Sequence, residues 1–227
     1  MSTYTEARTE AWKRRAAIAG DVDFTMMYVA HDAFNRDLAR LIVAADAGEA
    51  LSPAAIATWK SFSKQLHTHH SAEDQALWPS LVAAVTYPDE RRITQEMEAE
   101  HASLDPRVEQ IDAAIAHKNA VALTAELKAL ARGLTAHMIH EESEALPLVE
   151  RRLGQPGWDA FGKMIRDRLG GIKGASEYLP WVLDGASEQV QAKVLHLVPA
   201  PARLVYRRMW APNYRKSVRL AGLAIIE

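Results

Sequence analysis

The sequence predicts an all-α protein: an up-down-up-down four-helix bundle with a C-terminal helical extension. Alanine, leucine, glutamate, lysine and arginine fill long stretches of the 227 residues and glycine is scarce, a composition that favours helix. Between residues 22 and 153, four long stretches place apolar residues at three- and four-residue spacing. The loops between these stretches are short, and short loops make consecutive helices antiparallel.

Local signals place the ends of the four predicted helices. Gly48 ends the first, and Ser52 followed by Pro53 opens the second as N-cap and first helical residue. Pro79 in the second helix and Pro106 in the third each remove a backbone donor, which predicts a bend. The predicted spans are Val22 to Ala47, Ser52 past Leu81, Asp89 to His117, and Ala120 to Leu153.

Two further segments flank the bundle, which we place at residues 21–155. Residues 1–20 predict a short strap helix packed on the main body. Residues 156–227 predict the helical extension, in which Gly170, Gly171 and Gly174 are expected to break the helical pattern. No motif in the extension indicates a role. Its predicted helices are Trp158–Leu169, Glu177–Leu183, Glu188–Val198 and Arg203–Trp210, the last ended by Pro212.

One sequence pattern occurs twice in the bundle. His69 and Glu73 lie four residues apart, as do His137 and Glu141, so each pair shares one helical face. The offset is 68 residues for the histidine, for the glutamate and for the proline that follows the glutamate. A single His-x-x-x-Glu pair occurs by chance on many helices, whereas two with matched flanks indicate a shared role. An imidazole and a carboxylate on one face form a metal-binding pair.

The other two helices each supply one histidine. His31 precedes Phe34, and His101 precedes Leu104, with an offset of 70 residues between the two histidines. A lone histidine on an apolar face is more often a satisfied core residue than a ligand. An approximate two-fold relation between the halves nevertheless predicts one cluster in the bundle core. Its members are His31, His69, Glu73, His101, His137 and Glu141.

A buried cluster of this composition needs cations. Two carboxylates in a bundle core cost several kcal/mol unless they are neutralised or paired. Nitrogen and carboxylate donors without sulfur suit iron or manganese and also accept zinc. The set divides evenly, with two histidines for each of two metal ions and with Glu73 and Glu141 as bridges. We therefore expect two metal ions per chain and open positions for an oxo, hydroxo, peroxide or dioxygen ligand.

The composition excludes several other classes of function. The chain has no cysteine, so it forms no disulfide, iron–sulfur cluster or thiolate zinc site. Its net charge of −2 makes nucleic acid an unexpected partner, although the basic tail beyond Pro201 leaves membrane-surface contact as an alternative. We expect a cytoplasmic protein without a transmembrane segment, because there is no signal peptide and no run of roughly 20 apolar residues.

Between about Asp21 and Leu153 the sequence resembles the hemerythrin-like, or HHE cation-binding, proteins. The resemblance rests on His31-Asp-Ala-Phe, on Glu100-His101, and on the two His-x-x-x-Glu segments followed by LWPSL and LPLV. It implies a four-helix bundle holding a non-haem di-iron centre. The expected cofactor is two iron ions per chain with an oxo or hydroxo bridge, and manganese or zinc are secondary alternatives.

The sequence departs from the oxygen-carrying members at one ligand. They have a further histidine one turn before the third-helix ligand, where this chain has Met97. The last acid is also nearer its histidine than in the carriers, unless Glu142 bridges in place of Glu141. Fewer protein ligands leave more open coordination, which favours reactive chemistry over reversible oxygen carriage. The candidates for supporting or alternative ligands are His70, Met97, Glu98, His140 and Glu142. The angle between successive residues on a helix predicts that His70 points to a different face from His69.

These expectations leave two functions open. The first is a di-iron protein that binds or reacts with dioxygen, hydrogen peroxide or nitric oxide and detoxifies peroxide or nitric oxide. Its enzymatic form is a catalase- or peroxidase-like oxidoreductase with no catalytic residue beyond the metal centre. The second is an iron or oxygen sensing or storage module that signals through the C-terminal helices. The sequence decides neither the oxidant nor the oligomeric state.

Overall fold

The protein is built from helices, as the sequence predicts. The computed structural model describes residues 4–220, and no strand occurs in that range. The outer ends of the two predicted flanking segments, residues 1–3 and 221–227, lie outside the described residues. The bundle legs are α2 (Thr25–Asp46), α3 (Pro53–Ala72) continued by α4 (Trp78–Ala84), α5 (Pro88–Ala116), and α6 (Ala120–His140) continued by α7 (Leu146–Arg152).

Side-chain caps fix where two of these legs begin. The Ser52 hydroxyl accepts a hydrogen bond from the Ala55 backbone N–H at 3.2 Å, as the Ser-Pro signal predicts. Asn119 does the same for α6 by accepting from the Ala122 N–H at 3.0 Å. The short turns at these caps reverse the chain, so that α2 packs against α3, and α5 packs against α6.

A set of buried histidines and glutamates forms a layer between two apolar clusters. Along each leg, a residue of one cluster precedes the layer and a residue of the other follows it. In α2 the order is Tyr28, His31, Phe34, and in α5 it is Met97, His101, Leu104. Apolar packing above and below therefore holds the polar layer in place. The layer contains His31, His69, His70, Glu73, His101, His137 and Glu141, all buried.

Each leg with a His-x-x-x-Glu pair contains one π-helical turn that begins at its glutamate. The turns are Glu73–Leu77 and Glu141–Ala145. The N–H of Trp78 bonds to the Glu73 carbonyl five residues back, and Leu146 bonds to Glu141 in the same way. π-Helical turns occur frequently at functional sites.

The prolines after these turns supply a physical reason for them. A proline ring clashes with the carbonyl four residues earlier in an α-helix, and widening the preceding turn relieves that clash. Pro79 and Pro147 each follow the first residue of a π-helical turn by six, and Pro212 repeats this spacing after Tyr206–Trp210. Proline alone does not cause the change, because α5 continues through Pro106 without one.

Beyond the bundle, the C-terminal helices differ in detail from the prediction. Gly174 does not break a helix, because it lies inside α9, and Pro212 lies at the start of a helix rather than after one. Gly170 and Gly171, both with positive φ, do separate two helices. The helices are α8 (Gly154–Leu169), α9 (Gly171–Leu183), α10 (Glu188–His196), α11 (Ala200–Val205) and α12 (Ala211–Leu220).

Buried charges attach α9 to the bundle. The Arg36 guanidinium on α2 donates to the carbonyls of Trp181 and Asp184 at 2.8 and 2.9 Å. The Trp181 indole N–H donates to Asp37 at 2.7 Å, and Arg40 forms an ion pair with Asp184 at 2.8 Å. Because these groups are buried, the contacts fix the position of α9 on α2.

The N-terminal helix α1 (Tyr4–Ala17) contacts the bundle through two side chains. The Trp12 indole donates to Asp32 at 2.8 Å, and the buried Arg15 forms ion pairs with Asp32 and Glu142. Within residues 4–220, no helix has the length and apolarity that a membrane crossing requires.

Candidate metal centre

Two carboxylates face the histidines at the middle of the bundle. The side chains of Glu73 and Glu141 are both 0% exposed. The two oxygens of Glu73 point to different legs: Oε1 is 3.1 Å from His69 Nε2 and Oε2 is 3.6 Å from His101 Nε2. Glu141 Oε2 lies 3.1 Å from His31 Nε2. Glu73 thus reaches both halves of the cluster, as a bridging carboxylate must.

The donor atoms form two groups, each small enough for one ion. Within each group, the candidate ligand atoms lie within 4.8 Å of one another. One group combines His31 and His69 with Glu141. The other combines His70, His101 and His137. The candidate groups thus contain two histidines and three histidines, whereas the sequence analysis expects two for each metal ion.

The ring nitrogens of His101 and His137 meet inside the second group. Their Nε2 atoms are 3.1 Å apart. The opposite Nδ1 atoms lie 2.7 Å from Asp74 and 2.8 Å from Glu100, and carboxylates accept hydrogen bonds from Nδ1–H. This arrangement directs both Nε2 atoms at one point, where a cation could bind to them.

The carboxylate groups of the cluster also fit a metal. The carboxylate oxygens of Glu73 and Glu141 form no hydrogen bond of good geometry with any described residue, and neither does His31 Nε2, although each carboxylate has an oxygen 3.1 Å from an imidazole nitrogen. Unsatisfied buried polar atoms are rare and costly in folded proteins. Burial, together with the charges of Glu141 and Asp74, raises the pKa of Glu73 well above its usual value. A bound cation reverses this, so the donor set fits a metal centre.

The pKa of His31 also indicates that the buried carboxylates need a positive charge beside them. Burial lowers the pKa of this imidazole, but the carboxylates of Glu141 and Glu142 outweigh burial and raise it to about 9. Without metal, a protonated His31 supplies the positive charge that the carboxylates need. Burial and the neighbouring His31 instead lower the pKa of His69, and burial and His101 lower that of His70. Both are therefore neutral and ready to bind a metal.

Three carboxylates orient the rings from outside the cluster. Glu142 accepts from His31 Nδ1 at 2.8 Å, and Asp74 and Glu100 do the same for His101 and His137. Such partners fix the tautomer and direction of a ligating histidine. Glu142 thus lies outside the cluster, and Glu141 is the acid inside it. Glu100 has no sequence signal except its position before His101.

The structure corrects one site prediction and places the remaining candidates. His70 does not turn away, because its ring stacks on His101 with centroids 3.9 Å apart and 11° between planes. Met97 is fully buried in an apolar cluster, and Glu98 is exposed. His140 lies outside the cluster, where its Nδ1 donates to Glu100 at 2.8 Å. The adjacent His69-His70 pair was the available signal for His70.

A small pocket opens beside His69. Its wall is formed by α2, α3, α8 and α9, and its volume of about 10 Å³ for the centre of a water-sized molecule is near the minimum that one water needs. His69 is also the most exposed histidine of the cluster, at 8% against 1–6% for the other four. The lining residues include Phe34, Gln65, Thr68, His69, Ile165 and Tyr178.

Comparison with known proteins agrees with this geometry. Residues 22–149 match the Hemerythrin HHE cation binding domain, and the matched range contains every residue of the cluster. No curated protein and no solved structure matches the chain. Since the match covers more than half of the 227 residues and the cluster has the composition of a cation site, the chain belongs to the hemerythrin HHE cation-binding family.

Proposed function

We propose that this protein holds two iron ions and consumes small oxidants, with hydrogen peroxide as the main substrate. The donor set of imidazole and carboxylate without cysteine suits iron. The ligands of one ion are His31 and His69, those of the other are His70, His101 and His137, and Glu73 and Glu141 bridge. When bound, the iron pair supplies the redox chemistry.

The unequal division of histidines carries the proposal. With both carboxylates shared, the His31 half holds one imidazole fewer than the His70 half, and it therefore keeps one more open coordination position. The pocket lies beside His69, in that same half. From the sequence, the open coordination position is expected at the ion near Met97, where oxygen carriers have a further histidine. The positions of the side chains instead favour the ion bound by His31 and His69, because His70 can supply the third imidazole to the other ion.

The pocket is lined by both polar and apolar residues. Gln65, Thr68 and Tyr178 are among the lining residues, next to the apolar Phe34 and Ile165. Hydrogen peroxide both donates and accepts hydrogen bonds, whereas dioxygen needs only an apolar space. Protein groups in such a pocket orient the substrate and exclude bulk water. Nitric oxide has a similar size and is expected to compete for the same half.

Peroxide consumption by metal-loaded protein tests this function. Protein loaded with ferrous iron without air should disproportionate hydrogen peroxide to water and dioxygen over many turnovers, which needs no added reductant, and protein loaded with zinc should not. Glu73→Gln should abolish both iron binding and turnover, because a neutral amide cannot replace a bridging anion. Glu144→Gln serves as the control, because Glu144 is an exposed acid in the π-helical turn of the other leg. A stable, reversible oxygen adduct without peroxide consumption would restore oxygen storage as the function.

A second candidate, metal sensing, rests on the position of α8. This helix packs against α3 and against the π-helical turn Glu73–Leu77, so its environment includes the backbone of a bridging ligand. A sensor requires that the packing of α8 change with metal occupancy. Hydrogen exchange of α8 with and without iron separates the two functions, since an enzyme needs no such change.

A further inference from the structure

The pocket beside His69 is lined partly by residues from beyond the family-matched range. Phe34 and Gln65 come from the bundle, whereas Ile165 on α8 and Tyr178 on α9 come from the C-terminal helices. The match ends at residue 149. One wall of the pocket, which we call the outer wall, therefore comes from a part of the chain distinct from the part that contains the candidate ligands.

Several contacts hold this outer wall in position. Lys64 on α3 pairs with Glu177, which precedes Tyr178, and Arg168 on α8 donates to Gln75 in the π-helical turn. The Tyr178 ring packs on the Trp181 ring with centroids 5.6 Å apart. Trp181 is itself 1% exposed and bonded to Asp37. Ile165 and Tyr178 are thus attached to both α2 and α3.

We infer that Ile165 and Tyr178 select the substrate by size, so that hydrogen peroxide reaches the open half of the centre and organic hydroperoxides do not. This inference rests on the proposed function and deepens it. The pocket has space for about one water-sized molecule, and hydrogen peroxide is little larger than water. An alkyl hydroperoxide adds several carbon atoms that must overlap the Ile165 or Tyr178 side chain.

The Ile165 and Tyr178 side chains are packed closely enough to exclude a larger molecule. Both side chains are half-buried, and Tyr178 packs against the main apolar cluster. Inserting extra methylenes into a packed space forces side chains off their preferred rotamers and shifts the backbone. In a preformed pocket, one methylene changes discrimination by roughly 10–200-fold. Truncating either side chain is therefore expected to widen the range of accepted substrates without changing the ligands.

The test compares the reduction of two peroxides by iron-loaded protein with ascorbate as the electron donor, which supplies the two electrons that cleavage of either O–O bond requires. Wild type should consume hydrogen peroxide and should be nearly inactive with tert-butyl hydroperoxide. Ile165→Ala and Tyr178→Ala should each raise the ratio of bulky-peroxide consumption to hydrogen peroxide consumption on the order of 10-fold. Ile172→Ala is the matched control, since Ile172 lies on α9 but is 80% exposed. Tyr178→Phe keeps the ring and should retain the selectivity.

Anion binding provides a readout that does not depend on turnover. The association rates of azide and phenolate with the ferric protein are measured from their absorption changes. Azide should bind much faster than phenolate in wild type and in Ile172→Ala. Ile165→Ala and Tyr178→Ala should raise the association rate of phenolate on the order of 10-fold and leave the association rate of azide unchanged.

The two readouts separate the two proposals. If no peroxide is consumed while the variants speed phenolate binding, the proposed function is wrong and the size selection stands. If wild type accepts tert-butyl hydroperoxide or phenolate as fast as the small ligand, the size selection is wrong. The same conclusion follows if neither truncation changes these rates.

Discussion

Arg15→Gln is predicted to weaken both the fold and the His31 half of the metal centre. The Arg15 guanidinium on α1 bonds to both oxygens of Glu142 at 2.6 and 2.9 Å and to Asp32 at 2.8 Å. Glu142 in turn accepts from His31 Nδ1. Burial raises the pKa of Glu142, but His31 and Arg15 outweigh burial and lower it to about 2, so the group is ionised. Removing Arg15 leaves buried anions without their main partner.

The size of the effect follows from what remains after the substitution. Breaking a buried ion pair from one side costs about 3–5 kcal/mol. Glu142 keeps His31 and Asp32 keeps Trp12, so we expect the lower end, about 3 kcal/mol of unfolding free energy. Loss of the group that supports a ligating histidine commonly lowers metal affinity by roughly 10–100-fold, and here the loss should fall on the His31 half.

Denaturant unfolding of metal-free protein and iron competition with a chelator measure these two effects. Arg14→Gln is the matched control, because Arg14 is the exposed neighbour on the same helix. Arg15→Lys should restore part of the affinity by returning the charge. The reasoning is refuted if Arg14→Gln and Arg15→Gln agree within about 0.5 kcal/mol in unfolding free energy and do not differ in chelator competition.

Two other predictions concern the histidines themselves. His70→Ala should lower the iron content, measured by atomic absorption, toward one ion per chain. His67→Ala should not, because His67 is exposed and lies about one helical turn before His70. Equal iron content in the two variants would show that His70 is not a ligand. In metal-free protein, the pKa of His31 is about 9 in the fold against 6.5 when unfolded, so its stabilisation is complete below pH 6.5 and is lost as pH rises through 9. The difference of about 2.5 in pKa corresponds to on the order of 3 kcal/mol, so the melting temperature of metal-free protein should fall between pH 6.5 and 9.5, and His31→Gln should remove this part of the fall.

The bundle was predictable because its signals are local and repeated. Periodic apolar residues give the legs, and the 68-residue offset between the two His-x-x-x-Glu pairs gives the pseudo-symmetric cluster. His70 was misplaced because neighbouring residues on one helix point about 100° apart, which excludes a shared single ion. Two adjacent ions remove that exclusion, since His69 and His70 then belong to different groups.

The remaining parts of the site depend on contacts distant in sequence. Arg15 meets Glu142 across 127 residues, and Tyr178 reaches a pocket whose other wall is on α2 and α3. Neither residue belongs to a motif, and no periodicity indicates which face of α1 or α9 packs on the bundle. The low helix propensity of glycine predicts a break at Gly174. The residue nevertheless lies inside α9, because tertiary packing of that helix overrides the local propensity.

The central claim is that the chain binds two iron ions with unequal numbers of histidines. The most direct test measures the metal stoichiometry together with the number of histidines bound to each ion. Iron-loaded protein, freed of loose metal and quantified by amino-acid analysis, should contain two iron ions per chain. X-ray absorption should give an average between two and three imidazoles per iron, because His31 and His69 hold one ion and three histidines hold the other. One iron per chain in fully loaded protein, or two irons with two imidazoles each, would contradict this account.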